Sequence, residues 1–233
     1  MATEQRNRNA YEVVLHGGLT VVFVELTPSE IMLACRAAGN DAAQVVAGSR
    51  ATREALRLSL RRVGEVNVTF ADLDGDVLKR HVPRTRQVSQ LSEVWGRMHY
   101  PTDDETEAMR RAMACEATTD GERWTVTLPG GRTVVMDELP PERVDDILRA
   151  GELAAKSVSA QNTARTIEAG RRAIRAIDGV AVTPEELAGP RWDERFSMRE
   201  TILIGGAFNE IHGSGDAAED GATGEPRPVS WTT

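Results

Sequence analysis

The sequence predicts an α+β protein built as two tandem repeats, each a β-hairpin followed by about three helices, with a disordered C-terminal tail. Two observations carry the prediction. First, the segment from Tyr11 to Pro28 is written again from Trp124 to Pro141: Val13 recurs as Val126, Leu15 as Leu128, and the Gly-Gly, Thr-Val-Val and Glu-Leu steps recur between them. The same offset pairs Trp95 with Phe208 and His99 with His212. A fixed long period marks a duplicated structural unit. Second, each copy passes from a two-residue hydrophobic period to a period of three and four, which is the passage from strand to helix.

Val13 and Leu15 alternate with polar neighbours, as do Val21 and Phe23, and Gly17-Gly18 supplies the positive φ of a hairpin turn between them. Trp124, Val126, Leu128, Val134 and Met136 repeat the pattern around Gly130-Gly131. Thr27-Pro28-Ser29-Glu30 then reads as an N-cap, a proline at the first helical position and a capping-box glutamate. The second copy has Pro140 where the first has Thr27, so its helix start is expected to be less well capped.

Leu56, Leu60 and Val63, and in the second copy Ile167, Ile174 and Ile177, predict a second helix. Glu65–Phe70 and Asp178–Thr183 are extended and open to serving as a third strand. The final helices run over about Arg86–His99 and Met198–His212, each with one large aromatic, Trp95 or Phe208, as core plug. His99 and His212, one turn further on, are expected to cap their helix ends as partly positive imidazoles.

The expected organisation is a flexible N-terminus over 1–10, repeats at 11–100 and 124–213, a helical linker at 101–123, and a disordered acidic tail at 214–233. The linker should hold a capped helix running from acidic to basic, in the sense of the helix dipole. Trp231 stands alone in the tail as a candidate docking anchor.

The sequence has 233 residues and a formal net charge of −8, which argues against a general nucleic-acid binder, since such binding rests on neutralising phosphates. No apolar run reaches the roughly 18 residues of a membrane span and no signal-peptide pattern opens the chain, so a cytoplasmic protein is expected. Cys35 and Cys115 lack zinc or redox spacing, and Cys35 reads as a buried small hydrophobe. Asp72–Asp76 lacks the glycine and glutamate of a calcium loop and reads as a polar turn. No cofactor, metal or catalytic residue is expected.

Arg50, Arg53, Arg57 and Arg61 recur on one helical face, with Arg62 beside them. They read either as a solvated face or as a basic strip receiving an acidic partner segment. The hairpin edges nearest Val14 and Thr127 are the candidate sites for pairing with a partner strand.

The order apolar strand, Leu128-Pro-Gly-Gly131 turn, Thr133-Val-Val135 strand and Glu138-Leu-Pro-Pro141 helix start resembles the opening of bacteriophage tail and baseplate assembly chaperones, including the baseplate chaperone of contractile-tailed phages. Ile177–Leu187, Trp192 and the helix through Phe208 to His212-Gly213 are similar to the closing part of those proteins. The likeness covers most of 124–213 and, more weakly, 11–100. It implies a non-enzymatic assembly factor whose partners are tail or baseplate structural proteins of a phage or a related injection apparatus. The alternative is a structural component of the particle itself.

Overall fold

The computed structural model describes residues 10–37, 44–68, 82, 84–119, 121–154 and 158–213. The calcium-like turn at Asp72–Asp76, the tail and Trp231 lie outside them.

The first unit contains β1 (Ala10–Leu15), β2 (Leu19–Val24), α1 (Pro28–Ala37), α2 (Gln44–Ser59), β3 (Leu60–Val63), β4 (Val66–Asn67) and α3 (Thr85–His99). A helix, α4 (Asp103–Ala112), leads to β5 (Ala114–Thr118). The second unit follows as β6 (Gly121–Thr127), β7 (Thr133–Asp137), α5 (Pro141–Ala154), α6 (Val158–Ala173), β8 (Ile174–Ile177), β9 (Val180–Ala181), α7 (Pro190–Arg195) and α8 (Met198–His212). The strands form two antiparallel sheets, β1-β2-β3-β4 and β5-β6-β7-β8-β9. The chain is therefore mixed α+β, as the alternation of periods predicts.

The hairpins stand where the glycine pairs place them, and Gly17, Gly18, Gly130 and Gly131 all have positive φ. Thr27 caps α1 in a full box: its hydroxyl accepts from the Glu30 N–H at 3.3 Å, and the Glu30 carboxylate accepts from the Thr27 N–H at 2.9 Å. At α5 the equivalent support is backbone alone, with the Arg143 N–H donating to the Pro140 carbonyl. The linker helix α4 begins with a Thr102/Glu105 capping box and runs from Asp103-Asp104-Glu105 to Arg110-Arg111.

Two expectations are corrected. The third strand is not Glu65–Phe70 or Asp178–Thr183; it is Leu60–Val63 and Ile174–Ile177, and the expected pieces supply only the short fourth strands. A bulge is the reason. The register of β2 on β3 shifts between Val22, opposite Arg62, and Phe23, opposite Leu60, so Arg61 is the extra residue of β3, and the same shift falls at Val135/Met136. An extra residue in one strand turns both Leu60 and Val63 inward. Both are buried, as are Ile174 and Ile177, and their i, i+3 spacing imitates a helix. The linker is likewise not helical throughout, because its last part is β5, which pairs along β6 from Ala114 opposite Thr125 to Thr118 opposite Gly121.

Each unit has its own apolar core: Phe23, Leu26, Leu56 and Leu91 in the first, Met136, Ile147, Trp192 and Phe196 in the second. Trp95 and Phe208 are buried as core plugs. Ala160 and Met198 of the second unit join the core of the first, and α1 packs against α6. The helices thus lie in the row α2, α1, α6, α5, with α1·α2 and α5·α6 the contacts within units and α1·α6 the contact between them.

Candidate functional site

The outer edge of β1 is the first candidate surface. The Gly64 N–H donates to the Thr20 carbonyl at 2.7 Å, so even-numbered residues of β2 face β3 and odd-numbered ones face β1. Through the register Val13↔Val21 and Leu15↔Leu19, the odd residues of β1 bond to β2. Ala10, Glu12 and Val14 therefore turn their N–H and C=O groups outward. Among the described residues no strand pairs with this edge. Val14 is 68% exposed and Tyr11, stacked on Phe23, is partly so.

The matching edge of the second unit differs. β6 is an interior strand, sealed by β5 as far as Thr125, so Thr127 keeps only a short uncovered end of an otherwise occupied edge. Cross-strand Arg123–Asp137 at 2.8 Å ties β6 to β7.

The arginines of α2 and β3 separate into two groups. Arg53 is exposed. Arg57 pairs with Glu54 at 2.8 Å. Arg61 is the bulged residue, and its guanidinium donates to the carbonyls of Leu58 and Leu60, closing the end of α2; Arg175 does the same for α6 through Arg172 and Ile174. Arg62 pairs with Glu12 across the sheet. The strip thus keeps Arg53 and Arg57 on the helix surface, whereas Arg61 has a local structural task. Arg50 lies in α2, with its side chain outside the described residues.

His99 and His212 are joints between helix end and strand end. The Leu26 N–H donates to His99 Nε2 at 2.8 Å, and the Leu139 N–H to His212 Nε2 at 2.8 Å. An amide can only donate, so Nε2 must be bare and the proton sits on Nδ1, which donates to the Trp95 or Phe208 carbonyl at 2.9 and 2.8 Å. Each ring also stacks on the aromatic one turn before it. Burial holds the His99 pKa down at about 4, and it lowers that of His212 as well. This corrects the expectation of a partly positive cap: both imidazoles are neutral, because the charged form would set N–H against N–H.

A cleft of about 540 Å³ beside β6 is lined by Glu122, Arg123, Asp137, Arg143, Arg172 and Arg175, among others. Arg123 and Arg175 both reach Asp137, at 2.8 and 2.9 Å, and Arg172 reaches Glu168 at 2.6 Å. Arg123, Arg172 and Arg175 are thus each held in an ion pair. Cys35 is buried, which raises its thiol pKa, and Cys115 stands exposed on β5. No described helix is long and apolar enough to cross a membrane.

Comparison with protein-family models, curated proteins and solved structures finds no match to this chain.

Proposed function

We propose that the chain is a non-enzymatic assembly factor for a phage tail or baseplate, or for a related contractile injection apparatus, acting in the cytoplasm of the producing cell. It holds a structural partner by accepting an extended segment of that protein on the outer edge of β1. The observation that carries this reading is the contrast between the two sheets. One edge is sealed by β5, while the equivalent edge presents the outward N–H and C=O groups of Ala10, Glu12 and Val14. An unpaired edge is a template for another strand, and strand addition draws its affinity from those main-chain groups. The tail partner is supplied by the sequence likeness over 124–213.

Production of the particle in cells lacking this chain tests the reading. The expected result is a tail or baseplate protein that accumulates insoluble or misassembled, rescued by the wild-type chain and not by Val14→Pro. Proline at 14 removes an outward N–H and leaves the bonds to β2 intact. Normal particles in its absence would overturn the reading. Stoichiometric recovery of the chain in finished particles would favour a structural component instead.

A further inference from the structure

The main helix contact between the two units is one-sided, beside a smaller one between the final helices α3 and α8. The first helix of unit one, α1, packs on the second helix of unit two, α6. Among the described residues the reciprocal pair, α5 on α2, makes no comparable contact, because these helices stand at opposite ends of the row. A head-to-tail contact of this kind leaves one copy of each face open, and such faces join further subunits into rings or open chains.

Burial marks the open face of α5. On α1 the row Pro28, Met32, Cys35 is buried, half-buried and buried. The same row on α5, Pro141, Asp145, Leu148, is exposed at all three positions. The inward row is buried or half-buried in both helices: Ile31 and Ala34 on α1, Val144 and Ile147 on α5. The helices differ, then, on the flank that in α1 meets α6.

The face of α6 that meets α1 follows from its other contacts. A Cβ at Gly170 would strike Trp192 and Ile204, and Gly205 lies against Thr166, so that side faces α7 and α8; Gly151 lies against Arg165, so that side faces α5. The remaining side carries Ala160, Thr163 and Ile167. Aligning Glu54/Arg57 with Glu168/Arg171 and Arg61 with Arg175 puts Arg53 at the position of Ile167, and Arg57 one turn further along the same side of α2. The charges are complementary. α2 carries three arginines and one glutamate, α5 four acids and two arginines. Where α1 has the half-buried Met32, α5 has the exposed Asp145, and where α6 has the half-buried Ile167, α2 has the exposed Arg53.

We infer that a second copy of this chain docks head-to-tail, the α5 flank of one molecule on the α2 flank of the next, repeating the α1·α6 contact with ionic groups in place of apolar ones. The inference stands apart from the β1 edge, which lies on a different element.

Sedimentation velocity of the full chain over a concentration series tests it, with Arg53→Glu and Asp145→Arg. The wild type is expected to grow through dimer to longer species at low salt and to return toward monomer in about 1 M salt, where the screening length is about 3 Å. Each variant reverses one exposed charge, leaves the fold intact by circular dichroism, and loses self-association at least tenfold. An equimolar mixture of the two variants restores association between unlike chains, because one contact keeps Asp145 with Arg53 and the other joins the two reversed faces with their charges exchanged. A wild type that is monomeric throughout overturns the inference. So do variants that associate as the wild type does, or folded variants whose mixture stays monomeric.

Discussion

Replacing His99 with phenylalanine keeps the ring that stacks on Trp95 and removes both hydrogen bonds and the titrating group. Two independent lines give the size of the effect. At neutral pH the variant strands the buried N–H of Leu26, and an unsatisfied buried donor costs about 1–3 kcal/mol on top of the lost bonds. From linkage, the His99 pKa falls from 6.5 to about 4 on folding, and at about 1.4 kcal/mol per unit this is on the order of 3 kcal/mol. The sign follows from proton uptake. Between these pH values the unfolded chain binds the proton and the folded chain does not, so the contribution is complete above pH 6.5 and is lost as pH falls toward 4. Urea unfolding of both proteins from pH 7.5 to 4 should show a stability gap of about 3 kcal/mol that closes across that window. A gap that stays constant with pH would refute the neutral acceptor role of His99.

Trp95→Ala and Phe208→Ala each empty a core site and should each cost about 3–5 kcal/mol in denaturant unfolding; a midpoint equal to wild type would remove the residue from its core. Gly170→Ala places a Cβ 2.3 Å from Trp192 Cη2, and because that indole is fully buried the variant should lose about 1–3 kcal/mol by overpacking. Thermal unfolding of that variant with no loss of stability would show that Trp192 has room to move.

Hairpins, caps and final helices were legible because each rests on local chemistry: glycine pairs, Thr27 with Glu30, and aromatics set at helical spacing. β3 and β8 were not, because a bulge gives Leu60/Val63 and Ile174/Ile177 the spacing of a helix face. β5 gave no signal either. All five of its residues are exposed, so no alternation of apolar and polar residues records it, and the open edge of β1 stands out only once β5 is seen on β6. The arginine strip was legible as a helix face, but the bulge separates Arg61 from it. The histidines were correctly placed at helix ends. Their charge state depended on the Leu26 and Leu139 amides, 73 residues away in sequence, and no local pattern carries that.

In the proposed function, an extended segment of a tail or baseplate protein pairs with β1. Affinity capture of the full-length chain from cells producing particles, with wild type and Val14→Pro compared side by side by quantitative mass spectrometry, tests it most directly. Tail, sheath or baseplate proteins should be enriched on the wild type and depleted about tenfold or more on the proline variant, with both baits equally folded. Equal recovery on the two baits, or no tail protein on either, would contradict it.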